Sequence, residues 1–270
     1  MSMERLDILE NQSIFMIREA YSLFSKPALL WSIGKDSTTL LWLCYKAFFG
    51  RIPFPVIHID TSYKFRQIYT FRDRVAKEFN LNLIVTRNED AIANGMGPST
   101  AAKLDCCHEL KTNALKQVIE RYGFQAIIVG IRRDEHGIRA KERYISPRNS
   151  DFLWNYGDQK AEFWSQHSIH SPDAGGHSRI HPILHFTEAD IWRYIKREGL
   201  PVVDLYFSRS GRRYRSIGCE PCCNPIESDA ATVDDIIAEI ESTNTSERAG
   251  RAQDKENEYT MQKLRSLGYM

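Results

Sequence analysis

The stretch LLWSIGKDSTTLLWL, residues 29–43, decides the fold. An apolar run ends at Ser32, passes through Gly34 and Lys35, and resumes with apolar residues at helical spacing. A buried strand that turns sharply into a helix produces this pattern. The first amides of such a helix, together with its dipole, attract anions. Gly34 permits close approach of the backbone, Lys35 supplies a point charge, and Ser37 offers a hydroxyl near the helix start. By itself G-K-D-S also fits a tight strand–helix turn with polar surface residues, because short motifs recur by chance. The triphosphatase signature G-x-x-x-x-G-K-[ST] is absent here.

Working outward, Leu6, Leu9, Ile14, Ile17, Ala20, Tyr21 and Phe24 predict a first helix, and PALLWS (27–32) a buried strand. A helix over 37–49 stops at Gly50, and FPVIHID is a second strand ending at Asp60. A helix over 65–79, the strand LNLIVT, a helix over 107–122 and the strand QAIIVG follow. Strands alternating with helices of this length predict an α/β fold, a mostly parallel sheet with helices on both faces. Past Gly130 the alternation fails. RRDEHGIRAKERYISPRNS is polar and basic, HSPDAGGHS is loop-like, RIHPI is a short strand, and 187–198 reads as a helix. Then come the cysteine-rich GCEPCC and a polar, helical C-terminal region that wraps around the sheet or meets a partner.

The chain has 270 residues, 42% hydrophobic and 26% charged, with a net charge of +1. These values suit a soluble protein with a substantial core and exclude a strongly basic one, though not a local basic patch. No apolar run reaches membrane-spanning length, and MSMERLDILE lacks a signal-peptide pattern, so a cytoplasmic address is expected. The six cysteines are then thiols or ligands, not a disulfide framework.

Two more strand ends carry polar clusters. Asp60 and Thr61 follow the second strand, and Arg132, Arg133, Asp134, Arg139, Lys141 and Arg143 follow QAIIVG. Ligands of open α/β sheets sit at carboxyl ends of strands. Polyphosphate chemistry needs several positive groups against the leaving group, and three converging loops can supply them.

The combination S-I-G-K-D-S, H-I-D-T and R-R-D-E…R-A-K-E-R resembles the PP-loop ATP pyrophosphatases of the phosphoadenylylsulfate reductase family. Within it the chain is most similar to the small catalytic subunits of bacterial sulfate adenylyltransferases, including the late STNTSERAGRAQD and KLRSLGYM. The resemblance implies a Rossmann-like (adenine nucleotide alpha hydrolase-like) sheet, with an ATP pyrophosphatase domain over 1–205 and a cysteine-containing, helical tail over 206–270. It implies cleavage of ATP between the α- and β-phosphates, an adenylylated acceptor and free pyrophosphate. Lys35, Asp36, Arg132 and Arg133 would be catalytic. Ser32, Gly34 and Ser37 would hold the phosphates with them, Asp60 would lie near the nucleotide or Mg²⁺, and Arg139 and Arg143 would complete the clamp. In-line transfer at phosphorus requires positioning and electrostatic stabilisation more than a covalent nucleophile.

The cysteines depart from the sulfate-activating pattern. Cys106 and Cys107 form a pair, and Cys219, Cys222 and Cys223 a second cluster. This resembles the iron–sulfur ligands of assimilatory adenylylsulfate reductases, which implies a [4Fe–4S] cluster on Cys106, Cys107, Cys219 and Cys222. Zinc is the competing metal. Cys223 is surplus, and Cys44 fits a core position. No cysteine follows Cys223, which disfavours a thiol-dependent reductase. The leading expectation is therefore sulfur incorporation, with DNA phosphorothioation as its most specific form and a cysteine desulfurase or other sulfur donor as partner. The alternatives are synthesis of adenylylsulfate with a GTPase subunit, a reductase-like protein, and a non-catalytic nucleotide sensor. Homo-oligomers stay open. The basic block from Arg132 to Arg148, interleaved with Tyr144, would meet DNA or simply bind ATP and pyrophosphate. His58 reads as a core histidine, and His167, His170 and His177 as loop residues without metal spacing. His181 and His185 receive no role. Trp154, Tyr156, Phe163 and Trp164 read as packing aromatics.

Overall fold

A computed structural model of the chain describes residues 4–137, 139–155, 157, 159, 162, 175–243, 247–248, 263–264 and 266–268. His167, His170, Tyr156, Phe163 and Trp164 lie outside them. Six strands form one sheet: β1 (Pro27–Leu30), β2 (Val56–Ile59), β3 (Leu83–Thr86), β4 (Ala126–Val129), β5 (Ile145–Arg148) and β6 (His177–Ile180). Their spatial order is β3-β2-β1-β4-β6-β5, and all pairs are parallel except β5 with β6. The chain moves outward from β1 to β3, then crosses back to place β4 on the other side of β1. The carboxyl ends of β1 and β4 therefore flank the point where strand order reverses, the ligand crevice of such sheets.

Every residue of β1, β2, β4 and β6 is buried, as expected of strands covered on both faces. Their side chains divide by alternation. Leu29, Val56 and Ile128 join one apolar cluster with α1 (Arg5–Leu23), α2 (Lys35–Ala47), α3 (Arg66–Glu78) and α7 (Glu188–Glu198). Leu30, Ile57, Ile127 and Val129 join a second with α6 (Ala114–Tyr122). The short helices α4 (Glu89–Ala93) and α5 (Lys103–Cys107) lie between β3 and α6, and α8 (Val233–Ser242) follows a two-stranded ribbon of β7 (Arg212–Arg213) and β8 (Ile226–Glu227). Helix α7 starts in a capping box, Thr187 with Asp190, and Arg5 of α1 grips the same Asp190 with two hydrogen bonds of 2.9 and 2.7 Å.

Three local expectations change. The predicted helix over 107–122 is not continuous: a π-turn, His108–Asn113, separates α5 from α6. Such turns insert a residue into the helical ladder and are frequent at functional sites. The basic block contains a strand, β5, whose ISPR sequence is too short and too polar to show period-two alternation. His177 is not a loop residue. It begins β6, fully buried, because the strand is covered on both sides. The C-terminal region returns to the sheet: Leu264 packs against Cys107, and the Gly268 carbonyl accepts from Arg179. No helix among the described residues is long and apolar enough to cross a membrane.

His58 in β2 is fully buried and donates from Nδ1 to the Trp31 carbonyl at 3.0 Å. Burial, then the charge of Lys64, pushes its pKa down to about 4. It is neutral in the fold and protonates below about pH 6.5 in the unfolded chain. Its stabilising contribution is thus complete above pH 6.5 and is lost as pH falls toward 4. Urea unfolding should show about 2 kcal/mol less stability from this residue at pH 5 than at pH 7. His58→Asn keeps a donor for Trp31 without a titrating ring and should flatten the profile. Equal slopes in the two proteins would show that His58 is not the source.

Candidate functional site: an anion cradle at the switch point

Between β1 and α2 the chain turns within Ser32 to Gly34. The left-handed residue there is Ile33, at φ 70°, not Gly34. A buried β-branched residue in that region costs on the order of 1–3 kcal/mol, an expense met where the surroundings over-determine the turn. The Gly34 carbonyl accepts from Ser37 Oγ at 3.1 Å and from the Thr38 amide at 2.9 Å. Lys35 N–H donates to Tyr206 Oη at 2.9 Å, and the Ser32 and Ser37 hydroxyls lie 3.1 Å apart. Gly130, just beyond β4, allows a close approach: a Cβ there would lie 3.1–3.2 Å from the backbone of Asp36 and Ser37, tight enough that one of them must give by a few tenths of an ångström. The start of α2 thus rests directly on the end of β4.

Two cations face each other across this turn, both buried. Lys35 Nζ pairs with Glu247, lies 3.7 Å from Asp36 and 3.8 Å from Glu188, and donates to the Arg215 carbonyl at 3.2 Å. Arg132 pairs with Asp36 and Glu247 and reaches Asp134 at 2.9 Å, while its own amide donates to Glu135 at 3.1 Å. Around them Arg139 pairs with Glu135, and Arg215 binds Glu188 at 2.7 Å. Burial opposes the charge on Lys35, but Glu247, Asp36 and Glu188 outweigh it and hold the ammonium above its ordinary range. Burial raises Asp36 to about 6 against the pull of Arg132 and Lys35. For Glu247 the balance reverses: burial is overcome by Arg132 and Lys35, which hold it well below the usual carboxylate range.

The cavity beside this network is lined by Ser32, Gly34, Lys35, Asp36, Ser37 and Arg139 from among the residues expected in the site. Arg132 stands behind it through Asp36. Asp60, Arg133 and Arg143 do not line it. Asp60 accepts from Tyr69 and from the Ser62 amide, both at 2.8 Å, and the Arg133 guanidinium lies 5.2 Å from the centre of the Tyr144 ring. The carboxylates that come together are Asp36, Glu135 and Glu247, whose oxygens lie within 4.8 Å of one another. Hard oxygen donors of this kind suit Mg²⁺. Lys64, Lys111, Tyr206 and Arg248 also line the cavity and escaped sequence reading. They come from separate segments without a recognisable spacing; the signal in hand was STNTSERAGRAQD, read for resemblance and not for its Glu247 and Arg248. Arg132, Arg139 and Arg148 of the basic block are buried, so these three do not present a surface to a nucleic-acid backbone.

The cysteines adjoin the same cavity. Cys106, Cys107, Cys219, Cys222 and Cys223 are all buried free thiols, as is Cys44 in the core. Cys106 lies within electrostatic reach of Cys107, Cys219 and Cys222; burial first, then these neighbours, pushes it up to about 12. The two cysteine segments therefore converge. Two cavity residues touch them: Lys111 Nζ is 3.5 Å from Cys107 Sγ, and the Gly218 amide donates to Cys223 Sγ at 3.1 Å. Thr61 Oγ1 lies 3.2 Å from Cys219 Sγ.

The phosphoadenosine phosphosulfate reductase domain matches residues 26–225. A sulfate adenylyltransferase subunit 2 from Rhizobium sp. (strain BR816) is 40% identical, with the whole of both chains covered. Another of the same name, from Azospirillum brasilense, is 40% identical over 98% of this chain and 97% of its own. Among solved structures, a Candida auris phosphoadenylyl-sulfate reductase in a phosphate complex superposes with a TM-score of 0.55 at 18% identity, over 84% of this chain and 99% of that one. A Candida glabrata FMN adenylyltransferase with FAD and inorganic pyrophosphate gives 0.59 at 16% identity, over 93% of each. These two likenesses establish the fold, a Rossmann-like sheet.

Gly130→Ala should push the start of α2 away from β4. Calorimetric titration is expected to show ATP binding weakened roughly tenfold or more, because small displacements of a positioning loop are costly. Stability should fall by about 1–3 kcal/mol, as for other overpacked sites. Gly137→Ala, where an added Cβ meets nothing within 4 Å, should leave both unchanged.

Proposed function

The chain belongs to the phosphoadenosine phosphosulfate reductase domain family, and from that membership and its cradle we propose that it is the ATP-cleaving subunit of a sulfate adenylyltransferase. It is a PP-loop nucleotidyltransferase. The observation that carries the reading is the pair of buried cations, Lys35 and Arg132, presented from two neighbouring strand ends at the switch point. In the proposed reaction a sulfate oxygen attacks the α-phosphorus of ATP. A new P–O–S link forms, the bond from the α-phosphorus to the bridging oxygen breaks, and its electron pair leaves with pyrophosphate. Lys35, Arg139 and the start of α2 stabilise the departing charge, and Arg132 fixes Asp36. Mg²⁺, held by Asp36 and Glu135, would neutralise phosphate charge when bound. Relatives named as a subunit support a partner protein, in this reading a GTPase.

The cysteine centre supports a second reading. A single tetrahedral zinc with bonds of about 2.3 Å brings thiolate sulfurs to roughly 3.8 Å from one another. The two cysteine segments converge, with Cys106 within electrostatic reach of Cys107, Cys219 and Cys222, and thiolates so gathered suit a multi-iron cluster as well as one ion. Cys106, Cys107, Cys219 and Cys222 would hold that [4Fe–4S] group beside the cradle, and the activated acceptor would then take up sulfur, as in DNA phosphorothioation. The full-length relatives favour sulfate activation over this reading.

Two measurements separate them. Pyrophosphate release should depend on sulfate in the presence of the partner GTPase, and Lys35→Ala should reduce it by at least roughly 10²-fold, as loss of a charge-stabilising donor does. Absence of turnover with any acceptor would identify a nucleotide sensor instead. Iron and acid-labile sulfide after anaerobic purification should reach about four of each per chain if the cysteines hold a cluster, and fall in Cys219→Ser. No iron would remove the second reading.

A further inference from the structure

Glu247 is a protein carboxylate in the position of a ligand. One of its oxygens meets Lys35 Nζ and the other meets Arg132 Nη2, so it bridges two buried cations that stand on different strand ends. A phosphate group presents the same thing to such a pair: two anionic oxygens a short distance apart. Glu247 comes from none of the elements that build the cradle. It lies beyond α8, and its neighbour Arg248 lines the cavity. The cavity holds about 130 Å³. Pockets for small organic ligands run roughly 300–1,000 Å³, so the cavity as it stands is smaller than a nucleotide site needs.

Charge balance favours an exchange of Glu247 for a phosphate. Lys35 and Arg132 cannot stay buried without anionic partners. A phosphate brought to them beside Glu247 would place like charges together, whereas a phosphate replacing Glu247 preserves the balance. The far end of the segment is held separately: Leu264 packs on Cys107 and Leu104, and Arg179 donates to the Gly268 carbonyl. Leu264 and Gly268 thus have anchors of their own, separate from those of Glu247.

We propose that Glu247 is an internal competitor of the substrate phosphates, a carboxylate plug that keeps the cradle closed and is expelled when a di- or triphosphate binds Lys35 and Arg132. This rests on the reading of the cradle as the ATP site. The plug shields two buried cations from adventitious anions and couples nucleotide binding to release of the tail at residues 247–248.

The test uses pyrophosphate as ligand and the full-length chain. Glu247→Gln keeps the shape and removes the charge, and calorimetry should show pyrophosphate bound roughly ten- to a hundredfold more tightly than by wild type, the amount by which a charge-assisted self-contact lowers apparent affinity. Equal or weaker binding by a folded Glu247→Gln, checked by circular dichroism, would overturn the proposal. The wild-type protein gives an independent readout. Arg248 is buried, so trypsin should cut after it slowly, and saturating pyrophosphate should raise that rate at least several-fold. Unchanged or slower cleavage would mean that the tail closes over the ligand or ignores it, and the proposal falls. If neither protein binds pyrophosphate or ATP, the ATP-site reading itself fails and takes this inference with it.

Discussion

Two cations without access to water, Lys35 and Arg132, impose the constraint on which the rest of the architecture depends. An unpaired buried charge costs several kcal/mol, so each must be met by carboxylates and hydrogen-bond acceptors. The chain draws these from distant segments: Asp36 at the start of α2, Asp134 and Glu135 after β4, Glu188 at the start of α7, and Glu247 beyond α8. Assembly of the cradle is thereby tied to docking of the C-terminal half. The sheet alone would leave Lys35 and Arg132 short of partners.

The same demand explains the secondary network. Arg215 holds Glu188 in place beside Lys35, and Asp134 accepts from the Glu188 amide at 2.7 Å, fixing the start of α7 against the loop after β4. Tyr206, from the segment after α7, takes the first amide of α2. The cradle's walls are thus positioned by hydrogen bonds between segments, and its floor by backbone contact between Gly130 and the start of α2. The π-turn His108–Asn113 adds Lys111, which faces both the cavity and Cys107. The cysteine cluster and the cavity consequently share a lysine and the Gly218 backbone.

Much of the fold could be read in the chain because local physics decides it. PALLWS, FPVIHID and QAIIVG are apolar runs of strand length, and the helices between them carry their periodicity openly. The misreadings occur where tertiary contacts outweigh local pattern. ISPR has too few apolar residues to announce a strand, yet pairs with β6 along its whole length. His177 follows two glycines and reads as loop, but the sheet covers it. Around the cavity, Ser32, Gly34, Lys35, Asp36, Ser37 and Arg139 share a motif or a block, so the sequence groups them before the fold does. Asp60, expected from its motif at the end of β2, accepts from Tyr69 and the Ser62 amide and is not among the residues that line the cavity.

The sequence by itself determined the alternation of strands and helices, the strand–helix turn at Gly34 and Lys35, and the presence of two cysteine clusters, since each is a property of neighbours along the chain. Tertiary structure decided the strand order, and with it which turns meet at the switch point. It decided that Ile33, not Gly34, takes the left-handed conformation, that Lys111 joins the cysteines to the cavity, and that Glu247 satisfies Lys35 and Arg132. The physical reason is common to these: a buried charge selects its partner by position in space, and separation along the chain leaves no local pattern to read.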